Sequence, residues 1–383
     1  MFTVGRAIGD TRLFAMDPIV FLRTRKSVRL LAPSYLNGFR WVAEDYTSRK
    51  RFSLPLEGAL VLIHTFKEQA YADVISYANH KLGLDADRAA LLVHQLMDKS
   101  LLVVAEEEEP RERWMLSVGE KWSQYGWVEA AEYHVATYDY PFIPVDQDGF
   151  EEARNRMLSY SEQEPDRARA KLIENALHRL PLGRPKAEHA PASLKSVIKK
   201  QRSLDKDVGL NDLLAAILIS FGSIGTIQVS WNGEPLLRRT SPSGGARHPT
   251  EAYLLAISVP GLPSGWYHFA FGRNELELIR EEVYSDSRLH YLFPATYSRA
   301  PFDVAAIIVL TSVFERNMYR YREPRTFRAI HMDAGHLAET LSLASAANGL
   351  RCFVQYANRD EEVEKELGLN PLEEGVMLAC ALG

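Results

Sequence analysis

Val304-Ala305-Ala306-Ile307-Ile308-Val309-Leu310 is the stretch that most restricts the fold. Seven apolar residues in a row, without the alternation of a half-exposed strand, predict a strand buried on both faces. The surrounding chain supplies what could bury it. Ala252 to Val259, Trp266 to Phe269, Glu275 to Ile279 and Gly375 to Gly383 read as strands. Leu213 to Phe221, opened by Gly209-Leu210-Asn211-Asp212, and the Ala-rich run His336 to Asn348 read as helices. Helices flanking a mixed sheet make residues 194–383 an α+β domain.

With 383 residues the chain has room for two or more structural units, and its 46% hydrophobic content fits a folded protein. A net charge of −5 offers no general attraction to nucleic acid or to an anionic membrane. The two cysteines, Cys352 and Cys380, argue against a disulfide framework or a cysteine-based zinc site and suit a reducing compartment. Met1 to Arg6 lacks the basic-then-apolar order of a secretory signal, and the longest apolar run, Leu213 to Phe221, is about half of a membrane span. The expectation is a cytoplasmic protein with no resident metal, no nucleic-acid partner and no membrane partner.

Residues 1–120 predict a winged helix-turn-helix-like domain. Ile19-Val20-Phe21-Leu22 and Val28-Arg29-Leu30-Leu31 suggest small strands, and Leu56 to Phe66, Tyr71 to His80 and Asp85 to Lys99 suggest three helices, the last capped by Asp85. Leu101 to Val104, an acidic tip at Glu106 to Glu109 and Trp114-Met115-Leu116 then read as a two-stranded wing. Such a wing would be repelled by a duplex, and the third helix is largely apolar, so DNA binding is disfavoured. The remaining uses are capture of an extended peptide at a sheet edge or support of a dimer. Residues 121–193 read as a helical connector and linker. Trp127 to Phe142 carries a dense aromatic face, with His134 a core residue, and the polar stretch from Ser159 to Ser193 holds four prolines and one helix between Pro165 and Leu180.

Two stretches carry candidate chemistry. Arg238-Arg239-Thr240-Ser241-Pro242-Ser243-Gly244-Gly245-Ala246-Arg247-His248-Pro249 lies between a helix-like run and the strand at Ala252. It reads either as a cofactor cradle, where adjacent glycines admit a flat ligand and serines donate to it, or as a polar surface turn. Lys199-Lys200-Gln201-Arg202-Ser203, just before a helix, reads either as a phosphate site or as a solvated basic turn.

The order Arg-Ser, then Arg-x-x-Ser-Pro-Ser-Gly-Gly-x-Arg-His-Pro-x-Glu-Ala-Tyr, then Phe-Glu-Arg, Arg-Tyr and Asp-Ala-Gly-His, resembles the SagB/ThcOx-type branch of the nitroreductase superfamily over roughly residues 195–383. The resemblance implies FMN bound at a homodimer interface, and oxidation of azolines to azoles in a ribosomally made precursor peptide of a bacteriocin-like pathway. It also implies a peptide-recognition role for the N-terminal domain and a possible complex with a cyclodehydratase. Carried onto this chain, Arg202 and Ser203 would meet the FMN phosphate and ribityl chain, and Ser241, Pro242, Ser243, Gly244 and Gly245 would lie along the isoalloxazine.

Azoline aromatisation removes a proton from one carbon and a hydride from the next, so a base is needed. The family commonly has Lys-Tyr where this chain has Arg320-Tyr321. Arginine stays protonated and can only position or stabilise charge, which leaves Tyr321 and His331 as candidate bases. That departure keeps three alternatives open: dehydrogenation of a backbone N–Cα or a side chain, a general NAD(P)H-dependent nitroreductase, and a non-catalytic peptide-holding scaffold. Asp333 and His336 read as caps of the Ala-rich helix.

Overall fold

A computed structural model describes residues 17–106, 110–143, 146–165, 168–189, 208–228 and 235–383, and their contacts divide the chain between Tyr140 and Pro141. The first unit contains β1 (Phe21–Thr24), β2 (Val28–Leu31), β3 (Trp41–Asp45), β4 (Lys50–Leu54), α1 (Leu56–His64), β5 (Gln69–Ala70), α2 (Tyr71–Leu82), α3 (Ala86–Asp98), β6 (Leu102–Val104), α4 (Pro110–Ser123) and α5 (Val128–Thr137). Its strands form two small antiparallel sheets, ordered β5-β1-β6 and β2-β3-β4. Leu22, Leu62, Val74, Val93 and Leu102 close its core. The three expected helices are present, and Asp85 caps α3 by accepting the Arg88 N–H at 2.9 Å.

The expected two-stranded wing does not form. β6 pairs with β1, residues 107–109 of the acidic tip lie outside the described residues, and Trp114-Met115-Leu116 sits inside α4. Pro110 opens that helix where its missing N–H costs nothing, and the residues behind it are good helix formers. Glu112 then fixes the helix: its carboxylate, buried with Arg23 and Ser27, pairs with Arg23 of β1 at 3.3 Å and accepts the backbone N–H groups of Lys26 and Ser27.

The second unit contains α6 (Gln147–Gln163), β7 (His178–Pro181), α7 (Leu210–Phe221), β8 (Ser223–Ile227), β9 (Leu236–Arg239), β10 (Thr250–Ala256), β11 (Gly265–Ala270), β12 (Glu275–Glu281), α8 (Asp286–Leu292), α9 (Pro294–Arg299), β13 (Ala306–Val313), α10 (Glu315–Met318), α11 (Thr326–Ala347), β14 (Cys352–Gln355), α12 (Asp360–Leu367) and β15 (Glu374–Leu382). Seven strands form one sheet ordered β14-β15-β13-β10-β11-β12-β7. The apolar run supplies β13, and the alternation of a strand sends its residues to two cores. Ile308 and Leu310 pack with residues of α7 and α11, while Ile307 and Val309 pack with Leu289, Leu292 and Val363 on the other face.

Four details differ from the sequence expectation. All ladders among the described residues are antiparallel, so the sheet is not mixed in strand direction. The supposed linker contains an edge strand, β7, with Pro181 at its end, where proline is tolerated. The helix expected after Pro165 lies before it as α6, because the residue preceding a proline is driven out of helical geometry: Glu164 has φ −155°. By contacts the chain divides after Tyr140, with α4 running across residue 120 and α6 and β7 belonging to the second unit. No helix among the described residues is long and apolar enough to cross a membrane.

Replacing Glu112 by alanine would remove the buried carboxylate that pairs with Arg23 and accepts the Lys26 and Ser27 N–H groups, and should lower the stability of the first unit by about 3–5 kcal/mol. Denaturant unfolding of the variant against the wild type measures this. A loss under about 1 kcal/mol would mean that the ion pair does not hold α4 in place.

Candidate active site

The serine- and glycine-containing loop joins β9 to β10, so its two ends are set by a hairpin and by the central sheet. Inside it the chain turns left-handed three times, at Gly245 (φ 61°), Ala246 (φ 52°) and His248 (φ 48°). For the last two this conformation costs about 1–3 kcal/mol each, so surrounding contacts must enforce it. They are present. His248 receives a bond from Arg316 at its carbonyl (2.9 Å), donates its own N–H to Ser243 Oγ (2.9 Å), and its Nε2 meets the Leu237 carbonyl at 2.9 Å. Arg247 is buried, its Nε donating to the Arg316 carbonyl at 2.6 Å. Arg239 is buried too, lying over the Phe271 ring at 3.4 Å, whereas Arg238 faces solvent.

α11 anchors the same loop from its other side. Asp333 accepts the Ser243 hydroxyl at 2.6 Å and the Gly244 N–H at 3.4 Å, and Ser241 Oγ meets Thr340 Oγ1 at 2.6 Å. Burial pushes the Asp333 carboxyl up, against the pull of those two donors. Asp333 is thus an anchor in the middle of the helix, not a cap as expected; only its spacing from the end of α11 could have revealed that. Both serine hydroxyls are occupied in holding the loop, and Pro242, Gly244 and Gly245 form its exposed face.

Tyr321 completes the arrangement. A Cβ on Gly245 would lie 2.1 Å from its hydroxyl oxygen, while one on Gly244 would meet only Ala329 at 3.9 Å. The phenol therefore stands directly against one glycine and leaves the other open, a cradle that a side chain would fill. Arg320 lies with its guanidinium 5.4 Å from the Tyr321 ring centroid, and its Nε is buried without a hydrogen-bond partner among the described residues. Next to Tyr321 opens a cavity of about 620 Å³, walled by Phe314, Met318, Tyr319, Phe327 and Ile330. His331 is exposed on α11, bonded to the Phe327 carbonyl at 2.8 Å, with its ring 4.6 Å from that of Phe327. Of the sequence-predicted residues, the structure brings together Ser241, Pro242, Ser243, Gly244, Gly245, Tyr321 and Arg320. His331 contacts Phe327 and no loop residue among the described residues, and Arg202 and Ser203 lie outside the described residues.

Beneath the loop runs a charged network that the sequence reading did not anticipate. Glu251 pairs with Arg316 at 2.5 Å and with His268 Nε2 at 3.0 Å, and His268 Nδ1 meets Glu277 at 2.9 Å. Burial alone would raise the Glu251 carboxyl, but Arg316 and His268 outweigh it and hold it at about 2. Burial likewise favours neutral His268, yet its two carboxylate partners raise it. His248 goes the other way: burial, reinforced by Arg239, lowers it to about 4.

Residues 199–383 match the family model described as Nitroreductase family. The chain is 32% identical over 182 residues to the trifolitoxin-processing protein TfxB of Rhizobium leguminosarum bv. trifolii, covering 46% of this chain and 47% of that protein, so it spans about half the length of that relative. Among solved structures it is similar to a chain of the E. coli microcin synthetase McbBCD complex with truncated pro-MccB17 bound, at 16% identity and a TM-score of 0.41, covering 73% of this chain and 98% of that one.

Gly245→Ala should cost about 1–3 kcal/mol from its positive φ and more from the Tyr321 contact; in a Tyr321→Ala background the second part should disappear. A double-mutant cycle by thermal unfolding reads the coupling, and additive effects would contradict the contact. A second expectation concerns acid. Unfolded His248 titrates near 6.5 and the folded one near 4, so the unfolded state binds more protons between those values. Stability should therefore fall as pH drops from 6.5 to 4, by roughly 3 kcal/mol from this residue. His248→Asn, which tolerates positive φ, should flatten that part of the profile.

Proposed function

We propose that the nitroreductase-family domain formed by residues 199–383 is an FMN-dependent oxidoreductase that dehydrogenates a ribosomally made precursor peptide, with azoline-to-azole oxidation the leading reaction. The observation that carries this reading is the loop Ser241–Gly245, fastened beneath by Asp333 and Thr340, with an open backbone face directly against Tyr321. The 32% identity to a trifolitoxin-processing protein supports the peptide-pathway context. The residues fit a flat cofactor. Pro242 and the two glycines form the exposed face of the loop, Gly244 open and Gly245 against the Tyr321 hydroxyl, and Arg202 and Ser203 are the candidates for its phosphate and ribityl chain.

Bound FMN would supply the two-electron acceptor. What the chain itself contributes is a proton site and a fixed surface. The Tyr321 hydroxyl is the group at the loop placed to exchange a proton with the substrate, and the Arg320 guanidinium, 5.4 Å from its ring centroid, can position or stabilise charge there. Asp333 keeps the loop from shifting by holding Ser243 and Gly244, so the exposed glycines need no reorganisation when a ring lies on them. In this reading the protein acts as a homodimer, the first unit holds the leader part of the peptide, and a cyclodehydratase acts before it.

Purified protein should be yellow and release FMN on denaturation; colourless protein that cannot be reconstituted would overturn the reading. Tyr321→Phe should keep FMN and lose at least 100-fold in oxidation rate, in line with removal of a general base or acid. Mass spectrometry of a candidate precursor, before and after incubation, detects the loss of two hydrogens and localises it. Unchanged product with Tyr321→Phe would instead favour the peptide-holding scaffold, and rapid NADPH oxidation without any peptide would favour a general nitroreductase.

A further inference from the structure

The cavity beside Tyr321 has a wall chemistry that the proposed reaction does not itself require. Its volume of about 620 Å³ is in the range of ligand sites and exceeds what one substrate ring needs. The surface is dominated by aromatic and aliphatic groups: Phe314, Met318, Tyr321, Phe327, Ile330 and Leu372. Most of the polar groups around it are already engaged within the protein. Glu164 pairs with Arg322 at 2.6 Å, and the Tyr319 hydroxyl reaches the Glu164 carbonyl at 3.4 Å. Glu323 accepts from the Arg325 N–H at 2.7 Å and from the Thr326 hydroxyl.

Several of the apolar walls are nevertheless open to water. Met318 is 50% exposed, Phe327 46% and Leu372 84%, at the edge of a site whose deeper wall, Ile330, is buried. An apolar concavity with engaged polar groups gains by taking in an apolar group and has little to offer a polar one. Its position decides which group. Tyr321 belongs both to this wall and, through its hydroxyl, to the glycine loop, so whatever fills the cavity sits next to whatever lies on the loop.

We infer that this cavity is the subsite for a bulky apolar side chain, aromatic or long aliphatic, carried by the substrate peptide next to the residue that is oxidised. The inference rests on the functional reading above and adds to it a sequence preference: an apolar neighbour beside the modified position. Glu315 also lines the cavity, which makes a cationic side chain the competing occupant and the proper control.

Calorimetric titration of the full-length protein with N-acetyl-phenylalanine methylamide, alongside the serine and lysine analogues, tests it. The phenylalanine compound should bind at least tenfold more tightly than either control. Met318→Trp with Leu372→Trp, both at exposed positions, should fill the cavity and weaken that binding at least tenfold with sedimentation unchanged; either single variant serves if the pair does not fold. Equal or tighter binding of the lysine compound, absence of phenylalanine binding, or undiminished binding in the filled variant would overturn the inference. So would a change in oligomeric state on filling, which would make the cavity a contact between two copies of the chain. FMN content of the same samples separates the two readings. Protein that holds FMN but ignores the phenylalanine probe loses the subsite and keeps the oxidoreductase, whereas protein that binds the probe without any FMN does the reverse.

Discussion

The buried pair between Glu251 and Arg316 is the interaction on which the site depends. Two charges removed from water are tolerated only when they are paired, and here the pair is close and each partner has further bonds. Arg316 gives one nitrogen to Glu251 at 2.5 Å, another to the His248 carbonyl at 2.9 Å and its Nε to the Ala168 carbonyl at 2.9 Å. Its own carbonyl takes Arg247. One side chain thus ties the central strand β10, the glycine loop, the segment before β7 and the short helix that leads to Tyr321. Beyond Glu251 the chain of charges continues through His268 and Glu277 to Arg179, crossing β11 and β12 to the edge strand.

That arrangement explains how a loop with three left-handed residues can be rigid. Strain at Ala246 and His248 would relax in a free loop, but this one is held from the sheet side by Arg316 and from the helix side by Asp333 and Thr340. The serines are spent on this anchoring. What is left facing outward is backbone and glycine, a surface suited to stacking more than to side-chain recognition. Tyr321 and the adjoining aromatic cavity border that surface.

Much of this was legible in the chain. Val304 to Leu310 announced a strand covered on both faces, because an unbroken apolar run has no side that can meet water, and β13 is covered by helices on both. The glycine pair and the two serines marked the loop, and Arg320-Tyr321 stood out in the sequence as the pair that the fold brings against it. The wing was misread because β-branched and aromatic residues in short runs serve strands and helices alike; Trp114 to Leu116 became helical once Glu112 had Arg23 to bury against. β7 was hidden by Pro181 and the prolines of the flanking chain, since an edge strand needs only one neighbour and little apolar character.

The sequence by itself determined which elements form and which residue types cluster in the loop, because periodicity, glycine content and capping act over a few neighbouring residues. Tertiary structure alone decided what those residues do. Asp333 lies 90 positions from Ser243, Arg316 lies 65 from Glu251 and Tyr321 lies 76 from Gly245, yet each pair is in contact. Contacts of that separation are set by how β10, β13 and α11 pack, and no local pattern encodes them. The serines therefore read as cofactor donors in sequence and act as fasteners in the fold, while the two glycines that follow them lie on the exposed side of the loop.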